Sequence, residues 1–459
     1  MRFWDGGGPL TWIGVMLLLA TVASVRSHAG RWGRLGVPDA MVAGFLGLLL
    51  GPSILGWLPL QQELLEQIVY HGLALIFITV ALRTPSRSDD TASGVRGVAF
   101  ALPLLIAVQA LVGMAVVAMW SVAVETLHPG VGLMVPLGFS QGPGQALALG
   151  SAWEATGMQD GAQLGLILAA AGFVCCATMG PTLLALGRWM GWRVEAERPE
   201  AFEPVVEVEP SRATGGLEPL TRQVAVVSVV YFGVWALIQG IVAAIGDHPE
   251  AVATVYGFHF VLAGLLALAT RKVLGRLGRG DVLDTPLLSR LAALVVDGVT
   301  VSAIAAVQLE VVLRWWGVVL VLAVTAGATT AAICVWVARR AFAERPFDYA
   351  LVLFGTATGT LATGLALLRV IDPELKGPVA SGAVLGAAAS VPASIPLVLM
   401  LQVPVSGWPS TAPTALGLTA AGMVLYGGML VVLWVRWGHL RWLRPLHRFW
   451  PPPVPAHEG

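Results

Sequence analysis

Charge and cysteine are both scarce in this sequence. Only 12% of the 459 residues are charged, and 27 basic side chains balance 27 acidic ones. A soluble domain usually carries about twice that share of charge, so the composition excludes an ordinary water-soluble protein. The three cysteines fall inside apolar stretches. We interpret them as small core residues, not as a disulfide or a metal site.

Apolar sequence is abundant instead. Hydrophobic residues make up 56% of the chain, and the mean hydropathy is +0.78. Runs of about 20 apolar residues, the length that crosses ~30 Å of hydrocarbon, predict eleven membrane spans. They lie at about 9–26, 38–58, 64–82, 97–124, 160–187, 223–246, 251–270, 287–309, 314–338, 376–402 and 413–435. The first run lacks a small-residue cleavage site and is predicted to be a retained span, not a signal peptide.

Two further apolar segments, 133–153 and 347–369, contain glycines and polar residues where a lipid-facing helix would not. We predict that they are re-entrant hairpins, because irregular backbone at membrane depth must be covered by protein or water. The segment 188–222 is rich in Glu, Arg and Pro and is predicted to be a cytoplasmic linker without a fold of its own. The predicted division is 1–187, linker 188–222, 223–402, an added span 413–435 and a cytoplasmic tail 436–459.

The basic residues predict the orientation of the spans. If the N-terminus is outside, only Arg2 and Arg314 lie outside, and the other 25 of the 27 basic residues lie on the cytoplasmic side. Such an asymmetry is what membrane insertion selects. The sequence therefore predicts an outside N-terminus and a cytoplasmic C-terminus.

The two halves on either side of the linker have matching content. In both, a hairpin lies between the fourth and fifth spans, and the second half is inverted relative to the first. Matching positions are Phe139 with Phe354, Gly144 with Gly359, Gly161 with Gly377, and His71 with Asp297. Inverted repeats with broken helices are a design of secondary transporters, with the substrate near the midplane.

The hairpin turns supply the candidate binding residues for substrate and ion. They are Ser140, Gln141, Gly142, Gly144, Gln145, Thr356, Thr358, Gly359, Thr360 and Thr363. Hydroxyl and amide oxygens suit Na⁺, and amides suit a carboxylate. The alternative is that these side chains only satisfy the hairpin backbone. Gly144 and Gly359 are expected at the turns, with positive φ.

Four polar residues near or inside the spans have open roles. Asp297 lies near the middle of its span, where a charge costs at least ~2.5 kcal/mol on insertion scales. Asp297 and its counterpart His71 either couple transport to an ion or proton or make structural hydrogen bonds. Gln109 is predicted to hydrogen-bond between helices. Arg369 either binds a substrate carboxylate through its planar fork or anchors the chain at the interface.

Three stretches resemble the bacterial glutamate–sodium symporter family. LGVPDAMVAGFLGLLLG (Leu35–Gly51) is similar to the family's second span. GFSQGPGQALALGSAWEATG (Gly138–Gly157) and RPFDYALVLFGTATGTLATG (Arg345–Gly364) are similar to its two hairpins. The resemblance implies an all-α membrane protein of the bacterial inner membrane, with two inverted five-helix repeats and one extra helix. It also implies a homodimer that couples Na⁺ to the symport of glutamate, with no cofactor besides the coupling ion.

Other functions fit the sequence less well. The hairpin turns lack the His typical of this family, which leaves open a proton-coupled transporter or exchanger of a different organic acid through Asp297 and His71. A channel needs no pair of inverted hairpins with a closed midplane site. An intramembrane enzyme would need paired Asp, a Ser-Lys pair or a His-Glu metal motif within the spans, and the sequence has none. We therefore expect neither an enzyme nor a nucleic-acid partner.

Overall fold

The computed structural model describes residues 8–28, 37–83, 92–192, 217–342, 344–372, 375, 377–406 and 412–437. Throughout these ranges the regular structure is helical, and the predicted all-α fold is confirmed. Most of the predicted linker, at 193–216, and of the tail, at 438–459, lies outside the described residues.

The helices follow the predicted spans and hairpins closely. In the first half they are α1 Gly8–His28, α2 Asp39–Leu50, α3 Gln62–Leu82, α4 Ala92–Ala123, α5 Gly130–Pro136, α6 Pro143–Glu154 and α7 Gly161–Trp189. In the second half they are α8 Pro219–Ile245, α9 Pro249–Gly257, α10 His259–Arg276, α11 Thr285–Ala305, α12 Leu309–Ala341, α13 Pro346–Ala357, α14 Leu361–Leu368, α15 Pro378–Met400 and α16 Ala412–Trp437. Nine helices of the described chain are long and apolar enough to cross a membrane, so this is a multi-pass membrane protein.

Two predicted spans are not continuous helices. The span at 38–58 is helical only as α2, because Pro52 cannot donate to the helix and disfavours helical backbone at Gly51. The span at 251–270 is split into α9 and α10, which meet at Phe258 with a bend of 54°. Counting the bent pair as one span gives ten, and the predicted eleventh is the short helix α2.

The helices pack in two groups. The hairpin group consists of α4–α7 and α12–α15, and the scaffold group of α1–α3 and α8–α11. Within the hairpin group α4 packs on α15 and α7 on α12; within the scaffold group α2 packs on α11 and α10 on α3. In the predicted repeat, α4 with α15 would correspond to α12 with α7, and α2 with α11 to α10 with α3. The added helix α16 packs on α4 and α15.

Candidate functional site

The first hairpin, residues 130–154, is broken at Gly142. Helix α5 continues into a π-helical segment, Leu137–Gln141, and Gly142 then takes a φ of +87° that favours glycine. Helix α6 starts with Pro143 and has no side-chain cap. The backbone N–H groups of Gly144 and Gln145, in its first turn, therefore have no acceptor within the helix.

The second hairpin, residues 346–368, is broken at Thr358–Thr360. Here the threonine side chains satisfy the backbone. The Thr358 hydroxyl donates to the carbonyl oxygen of Phe354 at 2.7 Å, and the Thr363 hydroxyl donates to that of Gly355 at 2.5 Å. Thr360 and Thr363 form a reciprocal capping box at the start of α14. Three of the predicted ligands thus hold the hairpin together, which is the structural role that the sequence left open.

The two breaks meet at Gln109 of α4, a buried side chain with 1% exposure. Its Nε2 donates to the Ala357 carbonyl oxygen at 2.8 Å and to the Thr330 hydroxyl at 3.0 Å. The Ser140 hydroxyl donates to Gln109 Oε1 at 2.6 Å and approaches the Ala357 carbonyl oxygen at 3.3 Å. The predicted interhelical hydrogen bond of Gln109 is confirmed. Its position between the two hairpins was not predicted, because the sequence around a single amide in an apolar span does not indicate its hydrogen-bond partners.

Two polar atoms beside the breaks have no partner among the described residues. Gln145 is 4% exposed and Thr356 is 8% exposed, yet Gln145 Oε1 and Thr356 Oγ1 make no hydrogen bond. Such atoms cost about 1–3 kcal/mol each when buried without a partner. Each lies within three residues of the break in its own hairpin, and Thr356 Oγ1 is next to Gly364 of α14. Gln141 and Thr360, at the same level, are partly exposed.

The glycines of the two turns have different roles from those expected. Gly144 and Gly359 are not among the described glycines with positive φ, so that expectation is wrong, and Gly142 has the special backbone instead. Gly144 and Gly359 are needed for close packing. A Cβ at Gly144 would lie 3.0 Å from Leu73 of α3, and one at Gly359 would lie 2.6 Å from the Thr363 hydroxyl.

The structure does not join Asp297 and His71 to the hairpins. Asp297 is exposed on α11, and within the described chain it makes no hydrogen bond or ion pair. Its neighbour Gly298 faces Met16 of α1. His71 Nδ1 lies 2.5 Å from the Tyr231 hydroxyl of α8. Both residues thus belong to the scaffold group.

Arg369 lies at the far end of α14 from the break. Its side chain is exposed, and at 1.5 Å per residue the eight-residue helix separates it from Thr360 by about 12 Å. This position fits an interfacial anchor better than a contact to an anion at the junction.

No family model, curated protein or solved structure matches this chain significantly. The site is therefore interpreted from its own chemistry. The junction presents backbone N–H groups and neutral amide and hydroxyl oxygens. The described residues contain no group of three or more His, Cys, Asp or Glu side chains that could hold a metal ion.

Proposed function

We propose that this protein is a secondary transporter of a small organic anion, which binds where the two hairpin breaks meet. One observation carries the proposal. Two broken helices from separate halves of the chain meet at a buried junction, and two buried oxygens beside the breaks, Gln145 Oε1 and Thr356 Oγ1, have no partner among the described residues. Broken helices at membrane depth are the usual binding sites of inverted-repeat transporters.

The start of α6 suits the carboxylate of the substrate. Its N–H groups at Gly144 and Gln145 point out of the helix without a cap, and the helix dipole adds positive potential there. The amide of Gln145 lies in the same turn. The start of α14 is different, because Thr360 caps it. The anion is therefore assigned to the first hairpin.

The remaining oxygens suit a small cation. Gln145 Oε1 and Thr356 Oγ1 are neutral acceptors, and Na⁺ in such transporters is held by neutral oxygens at broken helices. The resemblance to glutamate–sodium symporters supports Na⁺ as the coupling ion and glutamate as the substrate. We also propose the homodimer that this resemblance implies, with its contact through the scaffold group.

Counterflow uptake tests the proposal. The purified protein is reconstituted into liposomes that are loaded with an unlabelled acid. Labelled L-glutamate or a labelled dicarboxylic acid is then added outside, with and without a Na⁺ gradient. We expect Na⁺-dependent uptake of one of these acids. Gln145→Leu should lower it at least about tenfold, because a ligand polar group loses its partner. Gln239→Leu, which changes an exposed amide of α8, is the control.

Unchanged uptake in Gln145→Leu would contradict the assigned site. Failure of the wild-type protein to take up any of the acids would contradict the proposed substrate class.

Proton coupling through Asp297 is the second candidate. It is favoured by one observation, that a carboxyl group well inside a membrane-spanning helix has no partner in the described chain. His71 would take part at the equivalent place of the other half.

A further inference from the structure

The two helix groups contact each other on one side only. Helices α6 and α7, which belong to the first hairpin and the span after it, pack against α3, α9 and α11 of the scaffold group. Across the described chain, α13, α14 and α15 make no extensive contact with the scaffold group. In the predicted repeat, α14 corresponds to α6, α15 to α7, and α11 to α3. The equivalent helix pairs of the other half, α14 with α11, α14 with α3 and α15 with α3, therefore make no extensive contact in the part of the chain that this structure describes.

Polar contacts between the groups gather at the end where α3 and α7 begin. Gln163 of α7 donates through Nε2 to Glu66 Oε1 of α3 at 2.7 Å and to the Ala306 carbonyl oxygen at 3.2 Å. Its Oε1 accepts from the Gln308 N–H at 3.0 Å. Gln163 is 6% exposed. We name these contacts the Gln163 latch; one amide side chain of α7 here bonds α3 and the connection between α11 and α12.

A second link lies at the same end. Trp153 Nε1 of α6 donates to Gln402 Oε1 at 2.7 Å, and Gln402 Nε2 lies 3.4 Å from the Thr254 hydroxyl of α9. Close to it, a Cβ at Gly257 would stand 2.8 Å from the Cβ of Ala152.

The opposite end has polar contacts within each group. Arg271 donates to the Arg83 carbonyl oxygen at 2.6 Å, and Arg83 Nη1 lies 3.4 Å from Ser289 Oγ, all inside the scaffold group. Asp372 accepts the Gly377 N–H at 2.9 Å, inside the hairpin group. Nothing comparable to the Gln163 latch joins the groups here among the described residues.

We infer that the structure is one of two end states of the protein, closed at the first hairpin, and that the Gln163 latch is the contact that must break to reach the other. In the second state α14 and α15 pack against α3 and α11, and the first hairpin moves away. The inference rests on the proposed function, since a transporter needs two such states. Under the predicted orientation, the closed end is the outer end.

Cysteine labelling tests the latch without a substrate. Ala152 faces α9 and is 8% exposed, so Ala152→Cys should react slowly with a maleimide when Cys175, Cys176 and Cys334 are alanine. Adding Gln163→Leu should raise the labelling rate about tenfold, because a hydrogen bond to a charged acceptor is lost. Gln67→Leu is the matched control: Gln67 lies on the same helix as Glu66, and among the described residues its side chain bonds only to Glu63. Equal rates in the Gln163→Leu protein and its parent would overturn the inference.

A disulfide gives a second measurement. Cysteines at Ala152 and Gly257 would start with their Cβ atoms 2.8 Å apart, about 1 Å inside the disulfide range, so the end of α9 must shift outward slightly before they cross-link under oxidation. The bond should stop uptake of the transported acid until a reductant is added. The control pair is Phe77 and Gly264, both in the scaffold group, where the two Cβ atoms would be 3.9 Å apart, near the disulfide optimum. That bond should form without affecting uptake. Full uptake with the first bond closed would overturn the inference.

The two proposals fail separately. If the wild-type protein takes up no organic acid but labelling responds to Gln163→Leu, the substrate assignment is wrong and the two-state inference holds. If uptake occurs and labelling does not respond, the transporter assignment holds and the latch is wrong.

Discussion

Gly142 of the first hairpin faces Thr360 of the second: a Cβ at Gly142 would stand 3.9 Å from Thr360 Cγ2 and 4.0 Å from the Gly359 carbonyl oxygen. The space between the two breaks is thus about one methyl group wide at this point. Glycine is required there for two reasons: its backbone has positive φ, and a side chain would occupy the space between the two breaks.

Gly142→Ala should lower stability and abolish transport. At φ +87° and ψ 171° the backbone of Gly142 is in a region that only glycine adopts readily, so a side chain there costs about 1–3 kcal/mol, and its methyl group would fill the junction. Gly157→Ala is the control, since Gly157 has a φ of +93° with open space around it. The thermal unfolding temperature should be lower in both variants than in the wild type, and liposome uptake should be lost only in Gly142→Ala. Uptake retained by Gly142→Ala would argue against a ligand at the breaks.

Gly144→Val and Gly359→Val should each abolish transport while membrane insertion is retained. The new side chains would meet Leu73 at one site and Phe173 with the Thr363 hydroxyl at the other. Gly428→Val on α16, where no atom lies within 4 Å, should behave like the wild type. The measurements are the yield of folded protein in membranes and uptake per molecule. Wild-type uptake in both hairpin variants would refute the site.

Asp297→Asn separates the two coupling mechanisms. If Na⁺ drives transport and Asp297 is structural, uptake persists with its usual dependence on Na⁺. If a proton on Asp297 drives transport, net uptake fails while exchange of substrate continues, because the site no longer titrates. Uptake and exchange are measured in the same liposomes. Loss of both in a variant that still folds would contradict both predictions.

His128, in the connection before α5, should make the fold sensitive to acid. Burial lowers the pKa of its imidazole to about 4, and its Nδ1 accepts the Gly130 N–H at 3.1 Å. The folded pKa lies below the unfolded value of about 6.5, so its contribution to stability is complete above pH 6.5 and is lost as the pH falls toward 4. At pH 5 the loss is about 1–2 kcal/mol.

Melting temperatures at pH 7.5 and 5 measure this loss. His128→Asn keeps an acceptor for the Gly130 N–H but does not titrate, so its melting temperature should fall less than that of the wild type. Equal falls in the two proteins would refute the assignment to His128.

Reporter fusions check the orientation. A fusion at Pro210, in the predicted linker, and one at the C-terminus should both be cytoplasmic, because 25 of the 27 basic residues lie on that side in the predicted topology. An active periplasmic reporter at either site would overturn the inverted orientation of the two halves.

Apolar length predicted most of the fold. Runs such as 97–124 and 314–338 can only be long helices in a membrane, and they are α4 and α12. Hydropathy did not reveal the end of α2 or the bend at Phe258, because apolar residues continue past both breaks. The pair Gly51-Pro52 was the signal for the first.

The meeting of the two hairpin turns was predicted at the level of segments, not of atoms. It followed from two hairpins that enter from opposite faces, and the Ser140 hydroxyl does approach the Ala357 carbonyl oxygen; that a ligand binds there stays a prediction. Which of the two glycines around Pro143 takes positive φ depends on packing against Leu73 and Thr360, which only the folded chain determines. The same holds for Gln109, whose partners are more than 200 residues away in Thr330 and Ala357.

That separation has a consequence for biosynthesis. Gln109 emerges from the ribosome 248 residues before Ala357, which at about 5–20 residues per second is an interval of about 10–50 s. During this time its amide, already in an apolar span, lacks the acceptor it has in the mature fold. The first half of the nascent chain therefore enters the membrane before this hydrogen bond can form, and the bond is completed only when the second hairpin is inserted.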